Sequence, residues 1–203
     1  MAQIELGKGR STVPFIYDES RFEVLTREAL DERPLSDPDI NAAIDLPIDS
    51  QPLEEIVSPG ESALVVVSDA TRATASAQIT NLLVRRLIEL GVAPYDLRII
   101  IATGIHRPTT IEEKRELLTP FIVQRIRIVD HNPHDLGQLA HLGETERGTP
   151  IEVNRALLDH SHIILTGGIG FHYFAGFTGG RKSICPGLAS ARTIAATHLQ
   201  ALD

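Results

Sequence analysis

The sequence predicts an α/β protein with a layered, largely parallel sheet, flanking helices and a small β-rich N-terminal portion, and three observations support this prediction. From residue 61 onward, short runs of aliphatic residues alternate with longer segments whose apolar residues have helical spacing. The run Ala63–Val67 contains no polar residue, which is typical of a strand buried on both faces. Polar side chains follow the end of each run. We therefore divide the chain into a β-rich portion, 1–60, and an α/β core, 61–203.

The N-terminal portion contains short β-type segments followed by a proline-rich stretch. The strand candidates are rich in β-branched and aromatic residues and comprise Ile4–Leu6, Val13–Tyr17 and Phe22–Leu25. A short helix is expected to begin at Ser36 or Asp37, either of which can cap it, and to extend to Ile44.

The core is expected to contain four strands, each a compact and mostly apolar run: Ala63–Val67, Leu97–Ala102, Arg125–Val129 and Ile163–Thr166. Helices are expected at about Ser76–Leu90, at about Thr110–Leu118 and from near Ser190 to Asp203. In sheets of this kind, ligands bind beyond the carboxyl ends of the strands. Polar residues gather at those ends here, namely Asp69, Arg72, His106, Asp130 and His131.

Composition narrows the class of protein. The chain has 203 residues, of which 42% are hydrophobic and 23% charged, so a globular core can form. The net charge of −8 argues against nucleic acid as a partner. The single cysteine, Cys185, excludes an intrachain disulfide and fits a reducing compartment. Because no apolar run has the length of a signal peptide or a membrane span, we expect a cytoplasmic protein without a membrane partner.

The segment Ser68-Asp69-Ala70-Thr71-Arg72 follows the first core strand and offers a carboxylate, two hydroxyls and a guanidinium. Arg72 could bind a substrate carboxylate through both of its terminal nitrogens. Thr71 and the backbone amides could bind a phosphate at the start of the next helix. A plain strand-to-helix turn, capped by Asp69 and with Arg72 at the surface, fits these residues equally well.

Three histidines stand out by position. His106 follows a strand and a glycine, where a histidine can act as a general acid or base near neutral pH or serve only as a surface or capping residue. His198 lies among small apolar residues of the last helix, as a buried, hydrogen-bonded histidine would. His131 and His134 are spaced for a metal, but no third ligand is evident, so a solvated loop is favoured for most of the remaining histidines.

The segment from Gly167 to Gly187 contains seven glycines and three of the six phenylalanines of the chain. Such a loop lets the backbone approach a ligand closely. It is not an ordinary phosphate-binding loop, because Arg181 replaces the second glycine of that motif, and Tyr173 replaces the third glycine of a dinucleotide fingerprint. A flexible hairpin would explain the glycines but not the cluster of His172, Arg181 and Lys182.

Taken together, these segments resemble the lactate racemase family. The matching residues are Ser68-Asp69-Ala70-Thr71-Arg72, Gly104-Ile105-His106-Arg107, His172, the run from Gly179 to Gly187, and His198. Their order and spacing make the resemblance specific, and it extends from about residue 60 to residue 203.

The resemblance implies a nickel-pincer nucleotide as cofactor, which is a pyridinium-3,5-bisthiocarboxylic acid mononucleotide that holds nickel through two sulfurs and a ring carbon. It implies that Lys182 attaches this cofactor covalently and that His198 is the protein ligand of the nickel. Three pincer donors and one imidazole would give the planar four-coordination that nickel accepts.

The remaining implied roles concern cofactor contacts and catalysis. The segment that contacts the cofactor corresponds to Asp69, Ala70, Thr71 and Arg72. Arg72 would also bind the carboxylate of the substrate. His106 and His172 correspond to paired catalytic acid/bases that serve the two enantiomers.

The implied activity is that of an isomerase, which racemises or epimerises a small 2-hydroxy acid, lactate or a relative, by reversible hydride transfer. The implied partners are the enzymes that make the cofactor and a C-terminal domain that this chain lacks. Three alternatives stay open at this point. They are a non-catalytic module that binds a nucleotide or metal, a truncated domain that is inactive without its C-terminal half, and a nicotinamide-dependent oxidoreductase, which the missing fingerprint glycines disfavour.

Overall fold

The computed structural model describes residues 1–8, 11–25 and 33–199, and the chain forms two compact units, Met1–Pro34 and Leu35–Asp203. The first unit contains an antiparallel hairpin of strands β1 (Ala2–Lys8) and β2 (Ser11–Tyr17). The prediction of a strand at Phe22–Leu25 is wrong. A turn closed by backbone bonds to the Asp18 carbonyl brings the Phe22 ring edge-on to Phe15, with ring centroids 6.3 Å apart, instead of extending the sheet.

The second unit begins with helices α1 (Asp37–Asp45) and α2 (Leu53–Ile56). Its strands are β3 (Ala63–Ser68), β4 (Leu97–Ala102), β5 (Arg127–Asp130), β6 (Leu139–Glu144), β7 (Pro150–Asn154), β8 (His162–Leu165), β9 (Phe171–His172) and β10 (Gly176–Phe177). Its further helices are α3 (Ser76–Glu89), α4 (Ile111–Leu117), α5 (Pro120–Arg125) and α6 (Ala191–Leu199).

The central sheet has four strands in the order β5-β4-β3-β8, and every pairing is parallel. Alternate residues of β3 and β4 enter two different apolar clusters, so both faces of the sheet are buried. Val65 and Ile99 contribute to the cluster shared with α3, α4 and α5, whereas Leu64 and Ile100 pack with Leu188 on the opposite face. Each such side chain stabilises the fold by about 1.5–3 kcal/mol. The predicted α/β class with a parallel sheet is confirmed.

Helix α3 follows from its sequence. Leu83, Val84 and Leu87 lie on its buried face, at helical spacing. The helix ends just before Gly91, which has a φ of +93° and whose hypothetical Cβ would lie 2.8 Å from the side chain of Pro59. A glycine is therefore required there both by conformation and by space.

Further elements of the second unit differ from the sequence prediction. Arg125 ends helix α5 instead of opening the third strand, because Pro120 starts a helical turn whose Ile122 is fully buried. The hairpin β6–β7 was not predicted, and its pairing is interrupted by a register shift between His141 and Glu144. Across the described residues, no helix is both long and apolar enough to cross a membrane.

Candidate functional site

The predicted site residues in the first two segments lie at the carboxyl ends of β3 and β4. Asp69 directly follows β3 and is only 5% exposed. Its Oδ1 accepts hydrogen bonds from the Thr71 hydroxyl, at 2.6 Å, and from the Thr71 amide, at 3.1 Å. Ala70, Thr71 and Arg72 are exposed, so the turn presents their side chains and backbone outward.

The second oxygen of Asp69 contacts His106, whose Nδ1 lies 2.5 Å from Oδ2. Burial alone would raise the pKa of Asp69, but the hydrogen bonds with Thr71 and His106 outweigh it and hold this pKa below the ordinary range. Asp69 is therefore an ionised carboxylate that joins the ends of two neighbouring strands. The His106 ring remains about half exposed, with 47% of its side-chain surface accessible.

The glycine-rich segment forms the short hairpin β9–β10, which presents His172. The Nδ1 atom of His172 accepts hydrogen bonds from the backbone amides of Phe174, at 3.2 Å, and Ala175, at 3.1 Å. Its pKa is lowered, first by burial and then by electrostatic interactions with Lys182, Arg72 and His198. His172 therefore lies within electrostatic reach of each of these three residues.

Lys182 lies in a short 3₁₀-helix, Gly180–Ser183, which contacts β3 and β8. The turn into it is tight, because a Cβ on Gly179 would lie 3.0 Å from the Gly168 carbonyl oxygen and the residue has a φ of +74°. Burial and the charge of Arg72 lower the pKa of Lys182. A lysine with a lowered pKa has a larger share of the neutral, nucleophilic amine.

His198 lies in the last described turn of α6 and is an exposed residue, not a fully buried one. Its Nδ1 donates to the Ile194 carbonyl at 2.7 Å, and the ring of Phe174 packs beside it, with centroids 5.6 Å apart. Because Nδ1 carries the proton, the lone pair of Nε2 is directed away from the helix backbone. Such an arrangement is typical of metal-binding histidines.

His131 is a buried structural residue, so the expectation of a solvated loop is wrong for this histidine. It is 1% exposed, its Nε2 donates to the Ala189 carbonyl at 2.9 Å, and its Nδ1 accepts from the side-chain Nδ2 of Asn154 at 3.1 Å. These bonds tie β5 and β7 to the segment that leads into α6. Among the described residues, no three His, Cys, Asp or Glu side chains are grouped so that they could hold a metal ion by themselves.

Sequence reasoning found Ser190 at the start of α6 but missed its partners Glu152 and Thr193. The Ser190 hydroxyl donates to a carboxylate oxygen of Glu152 at 2.6 Å and accepts from the Thr193 amide at 3.0 Å, as a helix cap does. The serine before the helix was a visible signal, whereas nothing near it in the sequence indicated Glu152.

Comparison with known proteins identifies the family of this chain. A family model described as the lactate racemase N-terminal domain matches residues 6–203. The chain belongs to this lactate racemase family. It is 35% identical over 202 residues to a lactate racemase of Lactiplantibacillus plantarum, an alignment covering 98% of this chain and 47% of that protein. It is 31% identical over 201 residues to a lactate racemase of Thermoanaerobacterium thermosaccharolyticum, again covering 98% and 47%.

Solved structures of related proteins have the same fold. The lactate racemase apoprotein of Thermoanaerobacterium thermosaccharolyticum superposes with a TM-score of 0.78 at 30% identity, over 97% of this chain and 46% of that one. A crystal structure of a protein from Thermotoga maritima superposes with a TM-score of 0.69 at 26% identity, over 86% and 43%. The chain thus spans about half the length of the family members it matches.

Proposed function

We propose that this chain is the cofactor-bearing half of an isomerase that racemises or epimerises a small 2-hydroxy acid, lactate or a close relative. The observation that carries the proposal is that Lys182, Arg72 and His198 all act electrostatically on His172, while Arg72 lies in the turn that follows Asp69, the partner of His106. The names of the 31–35% identical relatives support the same activity.

The residues present fit a nickel-pincer nucleotide. The cofactor brings its own donors to the metal, so the protein needs to supply one ligand, and the Nε2 lone pair of His198 meets that need. The lowered pKa of Lys182 suits covalent attachment through its amine. The Ala70-Thr71-Arg72 turn at the end of β3 is exposed, so its surface and the guanidinium of Arg72 are accessible to the nucleotide part, while the Thr71 hydroxyl and amide stay bound to Asp69.

When bound, the cofactor supplies a reversible acceptor for the hydrogen at C2 of the substrate. The residues of this chain then bind the substrate and move its hydroxyl proton. Arg72 binds the carboxylate and keeps the substrate oriented between turnovers. His106 and His172 contact the hydroxyl oxygen, and Asp69 holds Thr71 and His106 in place.

The whole enzyme requires two further contributions. The family members are about twice as long as this chain, and we propose that their C-terminal half, or its equivalent, closes the site and helps to select the substrate side chain. The cofactor-making enzymes are needed to load Lys182.

The test is to co-express the chain with the cofactor-making enzymes and to measure intact mass and nickel content together. A mass adduct with one equivalent of nickel is the expected result. Bound nickel or nucleotide without an adduct would contradict the proposal and favour a non-catalytic binding module, and a released nicotinamide dinucleotide would favour an oxidoreductase.

A further inference from the structure

The hydrogen bonds of His106 allow only one position for its proton in the neutral ring. The partner of Nδ1 is Asp69, an ionised carboxylate that can only accept. Nδ1 must therefore donate, which leaves the lone pair on Nε2. The other oxygen of Asp69 is held by Thr71, so the carboxylate cannot turn away without losing two hydrogen bonds.

The hydrogen bonds of His172 require the opposite arrangement. Its Nδ1 is contacted by two backbone amides, those of Phe174 and Ala175, and amides can only donate. Nδ1 must therefore carry the lone pair, and the proton of the neutral ring resides on Nε2. The positive charges of Lys182 and Arg72 nearby favour the neutral ring over the imidazolium.

We propose that the two histidines rest in opposite tautomers, His106 as a base at Nε2 with Asp69 as its positioning residue, and His172 as a hydrogen-bond donor at Nε2. This inference rests on the proposed function for its catalytic meaning. It gives different roles to His106 and His172, which sequence reasoning treats as equivalent. It also gives Asp69 the role of orienting His106.

The proton transfer balances with these assignments. The O–H bond of the substrate breaks, an N–H bond forms at Nε2 of His106, and the resulting imidazolium charge faces the Asp69 carboxylate. The cofactor, when bound, would accept the hydride that the C2–H bond releases. His172 keeps its proton and donates a hydrogen bond to the substrate oxygen throughout the step. Return of the hydride and the proton reverses these changes.

The test uses this chain as it is, labelled with ¹⁵N and free of cofactor. Long-range ¹H–¹⁵N correlation spectra of the imidazole rings, recorded at about pH 8 where histidines of ordinary pKa are neutral, distinguish the two tautomers. His106→Gln and His172→Gln assign the signals. We expect the Nδ1–H pattern for His106 and the Nε2–H pattern for His172. The same tautomer for both rings, or averaged signals for either, would overturn the proposal.

A variant isolates the role of Asp69. Asp69→Ala should move His106 to the Nε2–H tautomer that free imidazole side chains prefer, while His172 is unchanged. The matched control is Glu61→Gln, which alters another histidine–carboxylate pair, His162 with Glu61 at 2.6 Å, and should leave His106 as it is. The buried His131 reports on folding in every variant.

If Asp69→Ala shifts the signals of His131 as well, the variant has changed the fold, and Asp69→Asn, which has the same shape, replaces it. The two Thr71 donors hold the amide oxygen of the new side chain, so its NH2 group faces Nδ1 of His106, and His106 should change to the Nε2–H pattern. An unchanged Nδ1–H pattern in Asp69→Asn would contradict Asp69 as the positioning residue. This result is independent of the measurement of the adduct and of nickel. Opposite tautomers without an adduct would contradict only the proposed function. An adduct together with the same tautomer in both rings would contradict only this inference.

Discussion

Lys182 differs from the other described lysine side chain in its surroundings. The chain has three lysines, Lys8, Lys114 and Lys182. Lys114 forms an ion pair with Asp130, whereas burial and the neighbouring Arg72 lower the pKa of Lys182. Nucleophilic reactivity therefore favours Lys182 as the attachment point.

Lys182→Arg should abolish the cofactor adduct, because a guanidinium keeps the charge but is not a nucleophile at neutral pH. Mass spectrometry of the intact protein and of its peptides, after co-expression with the cofactor-making enzymes, provides the measurement. Lys114→Arg is the matched control and should retain the adduct. A modified Lys8 or Lys114 peptide in the original chain would assign the attachment elsewhere.

Arg72→Lys should reduce kcat/KM at least tenfold, about 1.4 kcal/mol of transition-state stabilisation, because lysine lacks the planar pair of donors for a carboxylate. The measurement requires the chain together with the C-terminal half found in its longer relatives. Arg125→Lys serves as the control, since Arg125 packs over the ring of Phe121 in helix α5, outside the candidate site. Kinetics close to those of the original protein for Arg72→Lys would place it outside the substrate site.

His198→Ala should remove nickel and with it all activity, since the structure directs its Nε2 lone pair away from the helix backbone. His106→Ala and His172→Ala should retain nickel and the adduct but lose turnover. Metal analysis and intact mass, measured on the three variants in parallel, separate the ligand from the catalytic pair. Nickel retained in His198→Ala, or lost from either of the others, would show that these roles are assigned to the wrong histidines.

The sequence named candidate site residues, but it could not show the contacts that they make. Asp69 and His106 lie 37 positions apart, and only the parallel pairing of β3 with β4 brings them within 2.5 Å. The amide bonds to His172 depend on the turn between β9 and β10, which the glycine content alone does not determine.

Secondary structure elements were predictable where the local pattern was strong. The apolar runs of β3 and β4 and the periodic spacing of α3 gave correct predictions because burial on both faces, or on one helical face, leaves a clear pattern. The hairpin β6–β7 escaped because its residues are mostly polar or small and its pairing contains an irregularity. Helix α5 was missed because its six residues are too few to show a period.

The buried His131, which connects the end of β5 to the segment before α6, makes the stability of the fold depend on pH. Burial lowers the pKa of His131 below its ordinary value of 6.5. Because the pKa of His131 is lower in the folded state than in the unfolded chain, the unfolded chain binds this proton at a higher pH. The contribution of the neutral His131 to the free energy of unfolding is therefore complete above about pH 6.5 and is lost as the pH falls through the lower, folded-state pKa.

We therefore expect the free energy of unfolding to decrease as the pH falls below about 6.5, and His131→Gln to reduce this slope. Urea unfolding at a series of pH values measures this slope. At lower pH the titration of carboxylates also contributes to the slope. His134→Gln is the control, because His134 is exposed. An unchanged slope in His131→Gln would exclude His131 as the cause.

At the scale of the whole molecule, the chain divides into a small unit, Met1–Pro34, and a large one, Leu35–Asp203. The buried hydrophobic residues of the described chain begin at Val57 and all belong to the large unit. Stability should therefore reside in the large unit, since the hydrophobic core is the main favourable contribution to folding.

Deletion of residues 1–34 should leave a cooperatively unfolding protein whose free energy of unfolding changes by no more than about 1 kcal/mol. Urea unfolding followed by circular dichroism measures this, and Ile100→Ala is the opposing control. That substitution removes a buried side chain of the central sheet and should cost about 2–5 kcal/mol. A loss as large as that of Ile100→Ala on deleting 1–34 would contradict this distribution of stability.

The strand order has a consequence for how the chain reaches its native state. Strand β3 lies inside the sheet and pairs with β8. Just before this pairing, a hydrogen bond joins Ser62 to Ser161, which are 99 positions apart in the sequence. Closing a loop of that length lowers the entropy of the chain before the stabilising contacts form. A fold with many contacts between residues distant in sequence therefore folds slowly. We expect β3, β4 and β5 to associate first and β8 to join late. During synthesis on the ribosome, the segment carrying His172 and Lys182 emerges after β8, so the candidate site is assembled last.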